Sequence, residues 1–122
     1  MIEQFVVYRY PWGDKWDSAR ANTVEGHVLK PTPVGAYASA GGVGQFDAED
    51  QSGNVYDWTS TIYAPYSKDI SDRESPEAAG ERIIRGGSWL GNGWNARCAS
   101  RYWVVPIYFT DKVGFRVVSP GS

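Results

Sequence analysis

The stretch Arg82–Val118, RIIRGGSWLGNGWNARCASRYWVVPIYFTDKVGFRVV, alternates two grammars, and its reading decides the fold. Some short blocks carry Gly, Ala, Arg, Pro or Ser where turn geometry and close packing would demand them: Arg85–Trp89 (RGGSW), Ala96–Arg101 (ARCASR), Pro106 and Val113–Arg116 (VGFR). Between them sit Leu90–Asn95, Tyr102–Val105 and Ile107–Lys112, rich in Tyr, Trp, Phe, Ile and Val. No period of 2 or 3.6 accounts for these bulky residues, so neither a half-buried strand nor an amphipathic helix explains them. A rigid frame displaying a binding surface would have this layout.

Outside that stretch, the chain has the composition of one folded domain. Its 122 residues suit a single domain spanning 1–122. Fourteen Gly and seven Pro call for many turns, and 15% aromatic residues supply a core or a contact surface. A net charge of −2 with no basic block removes nucleic acid from the expected partners. No apolar run approaches the ~20 residues of a membrane span, and the start lacks the basic flank of a signal peptide. Localisation is left open, with a virion or cell surface compatible. Cys98 is alone, so no intrachain disulfide is available, and its apolar flanks predict a buried, inert thiol.

Strand character is expected at Phe5–Tyr10, Gly53–Ser60, Ile83–Ile84, Cys98–Val105 and Val113–Val118, with one short helical turn within Lys15–Asn22. The Pro-rich and charged segment Tyr63–Gly80 is expected as a surface excursion. Gly86–Gly87 predicts a bulge or close backbone approach. Trp12, Trp58 and Trp89 are expected as wedges under the loops, and Arg85, Arg97, Arg101 and Arg116 as scaffolding that bonds loop carbonyls and carboxylates such as Asp57.

Six motifs in order, YPWGD (Tyr10–Asp14), ANT (Ala21–Thr23), TPVG (Thr32–Gly35), GNVYDWT (Gly53–Thr59), RGGSW (Arg85–Trp89) and GFR (Gly114–Arg116), resemble the formylglycine-generating-enzyme family. The resemblance implies an α+β, irregular C-type-lectin-like fold with mostly short strands, long loops and little helix, in a minimal version without the family's helical first half. Enzymes of this family use copper held by two cysteines, and a related branch of iron-dependent sulfoxide synthases uses a histidine cluster. A soft cuprous ion wants thiolates, yet Leu90–Asn95 holds no sulfur and His27 is the only histidine. The expectation drawn is a chain that is not an enzyme, with no catalytic residue and no required cofactor. A minimal oxidase and a structural or assembly module are the alternatives.

The layout also resembles the variable proteins of diversity-generating retroelements, in which RGGSW opens and VGFR closes a region rewritten by mutagenic copying at adenines. That resemblance implies a variable region at 85–118. An AAC codon randomised at both adenines reaches Leu90, Gly91, Asn92, Gly93, Asn95, Tyr102, Val104, Val105, Ile107, Tyr108, Phe109, Thr110 and Asp111, while Trp94, Trp103 and Lys112 need other codons. These thirteen positions and Trp103 are the expected ligand-binding face. Its partner would be a protein on another cell or particle, and an oligomer is compatible. For Tyr102, Trp103, Tyr108 and Phe109 burial in a core is the alternative; irregularity around Pro106 favours exposure.

Resemblance to the family further implies a structural calcium held by the Asp50 and Asp57 side chains and the Gly53 and Val55 carbonyls, an oxygen-only set that suits this cation. A solvated acidic turn is the alternative. Asn22 resembles part of a second calcium site, and His27 is expected at the surface or at a cap.

Overall fold

The computed structural model describes residues 7–64, 79–117 and 119. Four short strands form one mixed sheet: β1 Tyr56–Ile62, β2 Arg82–Arg85, β3 Tyr102–Val104 and β4 Val113–Gly114, in the order β3-β2-β1-β4. The pair β1/β2 is antiparallel with Trp58 opposite Ile84, β2/β3 is antiparallel with Ile83 opposite Trp103, and β1/β4 is parallel with Asp57 opposite Gly114. A register shift between Trp58 and Ile62 curls β1. Helix is limited to 3-10 turns at Ser18–Arg20, Val24–Gly26 and Ala38–Ala40. The expected irregular fold with little helix and short strands is the one observed.

The apolar core is small. Ile83 and Ile84 on β2 are fully buried, and Tyr10, Ala21 and Ala96 are the other buried apolar residues among those described. Buried polar residues are as prominent: Asn22, Thr23, Ser52, Asn54 and Ser88. Such groups stabilise only when their hydrogen bonds are made, and Asn54 shows how this is done. Its Oδ1 accepts from the Thr32 amide at 2.9 Å and from Asn22 Nδ2 at 3.2 Å, while its Nδ2 donates to the Thr32 carbonyl at 3.2 Å. The Asn54 amide donates to the Asn22 carbonyl at 2.8 Å, and its carbonyl accepts from the Trp89 amide at 2.7 Å. One carboxamide residue thereby joins three loops to the entrance of the Leu90–Asn95 segment. Asn54 holds φ 68°, a left-handed conformation that Asn tolerates better than most residues. Gly53 before it has φ 80°, and a Cβ there would come within 2.6 Å of the Asn22 carbonyl oxygen.

Several expected elements move for physical reasons. The strand expected at Gly53–Ser60 starts only at Tyr56, because Gly53 and Asn54 are left-handed and committed to the network. The strand expected at Val113–Val118 stops at Gly114; Phe115 and Val117 are exposed and Arg116 turns to acidic loop atoms. The strand expected at Cys98–Val105 begins at Tyr102, after a run of turns. Of Phe5–Tyr10, residues 5 and 6 lie outside the described residues, and 7–10 form no strand beyond a bridge between Tyr10 and Gly13. Most of the Tyr63–Gly80 excursion, residues 65–78, also lies outside them. Trp12, Trp58 and Trp89 are half-buried, with Trp12 and Trp16 packed on Tyr10 at 5.6 and 5.2 Å.

Replacing Asn54 by Leu leaves the part-buried Thr32 amide and carbonyl without their partner, while Asn22 Nδ2 keeps the Lys30 carbonyl at 2.9 Å. A loss of about 2–4 kcal/mol is expected from these unpaired groups, read as a lower urea midpoint with little change in slope.

Candidate functional site: the Ser88–Asp111 face

Ser88 is buried, and its Oγ accepts from the amides of Leu90 at 3.4 Å and Gly91 at 3.2 Å, which turns the chain out of the RGGSW block. The Gly91 carbonyl accepts from the Val24 amide at 2.9 Å. Next, the Gly93 amide donates to both Glu25 carboxylate oxygens at 3.1 and 2.9 Å. Ala96 is fully buried, with its carbonyl held by Ser52 Oγ at 2.6 Å. The far end is tied back by Trp89 Nε1, which donates to the Asp111 carbonyl at 3.1 Å.

On this frame the bulky residues point outward. Tyr102 is 54% exposed, Ile107 88% and Phe109 90%; Leu90, Trp103, Val105 and Tyr108 are exposed as well. Trp103 stacks on Tyr63 at 3.9 Å with ring planes 15° apart, and Tyr102 lies 5.3 Å from Trp103. The Tyr108 amide donates to the Val105 carbonyl at 2.9 Å, closing the turn at Pro106. Asn92, Asn95 and Asp111 are exposed, while Gly91, Val104 and Thr110 are half-buried. The Lys112 ammonium bonds Asp111 at 2.9 Å and holds its carboxyl below the ordinary value.

Gly93 departs from the expected display set. It is buried, and a Cβ would sit 2.5 Å from the Trp16 ring, so this position belongs to the frame. Trp94, absent from the expected set because of its codon, is 67% exposed beneath the Arg97 guanidinium at 3.5 Å. Its place inside the Leu90–Asn95 block, between two frame blocks, was the sequence signal for it. Cys98 also differs from expectation: it is exposed, because its segment is held by a backbone bond from its own amide to the Arg9 carbonyl at 2.7 Å and not by side-chain packing. Partial desolvation pushes its thiol pKa up against the pull of Arg85, which leaves a weak nucleophile.

The acidic loop lies beside β1. Asp50, Asp57, Glu49, Asn54, Val55 and Arg116 line a cavity of about 130 Å³ together with Val34 and Phe115. Arg116 donates from Nε to Asp57 at 2.9 Å, and from its two Nη atoms to the carbonyls of Glu49 and Asp50 at 2.9 and 2.8 Å. Asp50 accepts from the Gly35 amide at 2.7 Å. Burial raises the Asp57 carboxyl; Arg116 opposes this and the Asp50 charge adds to it. The donors fit a hard cation in kind, and the Asp50 charge bears on Asp57, but Arg116 already neutralises part of Asp57. Among the described residues no three His, Cys, Asp or Glu side chains gather to hold a metal, so a cation here would need the Gly53 and Val55 carbonyls. The same absence means that the described residues do not fit a thiolate copper or histidine iron centre. Asn22 Oδ1 and Thr23 Oγ1 are buried with no hydrogen-bond partner, and His27 is an exposed left-handed cap.

The model of the sulfatase-modifying factor enzyme 1-like domain matches residues 6–120. The chain belongs to this family. It is 38% identical over 108 residues to a hercynine oxygenase of Mycolicibacterium thermoresistibile, covering 81% of the chain and 24% of that relative. Among solved structures it superposes on Treponema denticola variable protein 1 with a TM-score of 0.66 at 24% identity, over 80% of the chain and 35% of that one. PvdO from Pseudomonas aeruginosa gives 0.66 at 25% identity, over 87% and 41%. The family's fold is therefore this chain's fold. The chain spans about a quarter of the length of the hercynine oxygenase it matches.

These comparisons correct the expectation that the chain is not an enzyme. It is overturned by relatives named for an oxygenase at up to 38% identity over most of the chain. The missing second cysteine and histidine cluster weighed only this stretch, whereas the matched portion is a fraction of such a relative. No described helix is long and apolar enough to cross a membrane.

Gly93→Ala should lower stability by about 1–3 kcal/mol through overpacking against Trp16, whereas Leu90→Ser, at an exposed side chain, should stay within about 0.5 kcal/mol. Paired thermal melts check both.

Proposed function

We propose that the Ser88–Asp111 face is a recognition surface for a protein ligand, diversified by a retroelement at its exposed positions. The observation that carries it is the joint exposure of Tyr102, Trp103, Val105, Ile107, Tyr108 and Phe109 on a hydrogen-bonded backbone. Rigid aromatics give large contact area at small entropy cost, and a polar rim of Asn92, Asn95 and Asp111 supplies orientation. The structural likeness to a variable protein supports this choice of fold for the task. Modest single-site affinity would be raised by multivalent display.

A second reading is favoured by the 38% identity to a hercynine oxygenase: this domain forms part of an oxygenase-type enzyme and the same face borders its substrate. Oxygen uptake with ferrous iron, hercynine and a thiol separates the two. Turnover dependent on Tyr102 and Trp103 selects the second reading; target capture without turnover selects the first. A near-copy of the codons for Arg85–Arg116, differing only where the copy has adenine and lying beside a reverse-transcriptase gene, is the genomic result expected for programmed diversity.

Joint replacement of Tyr102, Trp103, Tyr108 and Phe109 by Ser should abolish ligand capture while the melting temperature drops by only a few degrees. Unfolding of that variant would make these residues core and end the display reading.

Calcium at the Asp50–Asp57 loop is part of the same proposal, as a brace for the sheet edge. Millimolar calcium should raise the melting temperature relative to chelator, by about 2.7 kcal/mol of stabilisation at a hundredfold excess over the dissociation constant. Equal melting in both removes the cation.

A further inference from the structure

Between β3 and the Asn95–Arg101 segment lies a cup of about 280 Å³ lined by Tyr56, Asn95, Arg97, Ser100, Arg101 and Tyr102. No Asp or Glu lines it, although the chain carries 14 acidic residues against 12 basic ones. Every polar side chain at its wall carries a donor, although the Ser100 hydroxyl already donates to the Trp94 carbonyl at 3.0 Å and Arg101 Nη1 to the Ala64 carbonyl at 2.9 Å. Tyr56 is held in its protonated, donating form well past neutrality, since burial and then Tyr102 raise its phenol.

The cation at the centre is Arg97. Its Nε donates to the Trp94 carbonyl at 2.8 Å and its guanidinium carbon lies 3.5 Å from the Trp94 ring centroid. Both contacts hold the fork in place without cancelling its charge, and no carboxylate among the described residues pairs with it. Arg97 also lines the neighbouring cavity of about 260 Å³, with Arg85. Arg85 Nη1 donates to the carbonyls of Cys98 at 3.1 Å and Ser100 at 3.4 Å, again neutral acceptors. Asp57 is the one carboxylate at that wall, and Arg116 holds it at 2.9 Å. Asp14 shares with Arg97 the wall of a third cavity but forms no ion pair with it, so the charge of Arg97 stays available to the cup in a chain that is acidic overall.

We propose that this cup receives a carboxylate, contributed by a Glu or Asp side chain of the bound protein, with Arg97 as the charged contact. It rests on the face being a recognition surface and names what that surface grips. An oriented guanidinium matches the two coplanar oxygens of a carboxylate, and the remaining donors are mostly neutral, which suits a single charge better than a dianionic phosphate ester. Under diversification Arg97 and Arg101 lie in the constant block, while Asn95 and Tyr102 lie in the rewritten ones. A constant anchor would hold a common acidic group as the rim around it changes.

The test is a titration of the unaltered chain with N-acetyl tetraglutamate amide, followed through the indole Nε1–Hε1 resonance of Trp94, which lies against Arg97 and is kept in every variant. Tetraglutamine and a phosphoserine tetrapeptide are run in parallel. Saturable shifts with the glutamate peptide, weakened by salt and at least tenfold weaker in Arg97→Gln, are expected. Lys30→Gln, an exposed cation elsewhere, should leave the affinity unchanged. Equal response to tetraglutamine, tighter binding of the phosphoserine peptide, or unchanged affinity in Arg97→Gln overturns the proposal. Should Arg97→Gln fail to fold, peptide selectivity and salt dependence on the unaltered chain still decide it. Loss of target capture is read separately with the aromatic Ser variants, so a failed recognition surface and a failed carboxylate cup give different results.

Discussion

Everything on the Ser88–Asp111 face depends on the hydrogen bonds of Asn54. A sheet of four strands, two of them three residues or fewer, cannot bury enough apolar surface to fix long loops, and Ile83 and Ile84 supply most of what is fully buried. The loops are therefore joined by a polar knot in which Asn54 bonds Asn22, Thr32 and Trp89 at once, with Asn22 Oδ1 left over. Such networks are unforgiving in a dry interior: fully paired they specify one arrangement, and partly paired they cost more than an apolar core would. The left-handed backbone of Asn54 belongs to that arrangement, because it aims the side chain back at Thr32 while the carbonyl faces Trp89.

Arg116 plays the complementary part at the other sheet edge. Three donors of one guanidinium reach Asp57 on β1 and the Glu49 and Asp50 carbonyls on the acidic loop, which draws the chain out of β4 after two residues. The cost is exposure of Phe115 and Val117. A guanidinium and a hard cation are alternative solutions to one electrostatic problem, the crowding of Asp50 and Asp57 around one cavity. Arg116 takes up part of the negative charge, so bound calcium would share Asp57 with it.

How much of this was legible in the chain follows from range. Blocks whose role is local, such as RGGSW, the 3-10 turn at Ser18–Arg20 and the turn at Pro106, are written in Gly, Ser and Pro at fixed offsets and were readable. The exposure of Tyr102, Ile107 and Phe109 followed from their lack of period. Gly93 was misjudged because its constraint is the Trp16 ring, distant in sequence, and codon logic carries no steric information. Cys98 was misjudged because apolar flanks imply burial only inside a regular element, and its segment is a run of turns. Catalysis was dismissed from missing ligands, an inference that holds only when every ligand must come from the stretch in view.

The division between frame and display has a cause in which atoms carry the ties. The bonds that hold the displayed segments run through backbone groups: the Gly91 carbonyl to Val24, the Gly93 amide to Glu25, the Asp111 carbonyl to Trp89 and the Lys112 carbonyl to the Tyr56 amide. Their partners supply a side chain only from the constant parts, Glu25 and Trp89. A backbone group is the same whatever residue bears it, so side chains at 90, 102, 105, 107 and 109 can change without removing an internal hydrogen bond. The exceptions are local. Asn92 Oδ1 accepts from the Asn95 amide at 3.2 Å, the Asp111 carboxylate accepts from the Thr110 hydroxyl and the Lys112 ammonium, and Gly93 must lack a Cβ. Freedom at the remaining positions therefore follows from hydrogen-bond bookkeeping, and it holds whether the face meets a protein ligand or the substrate of a larger enzyme.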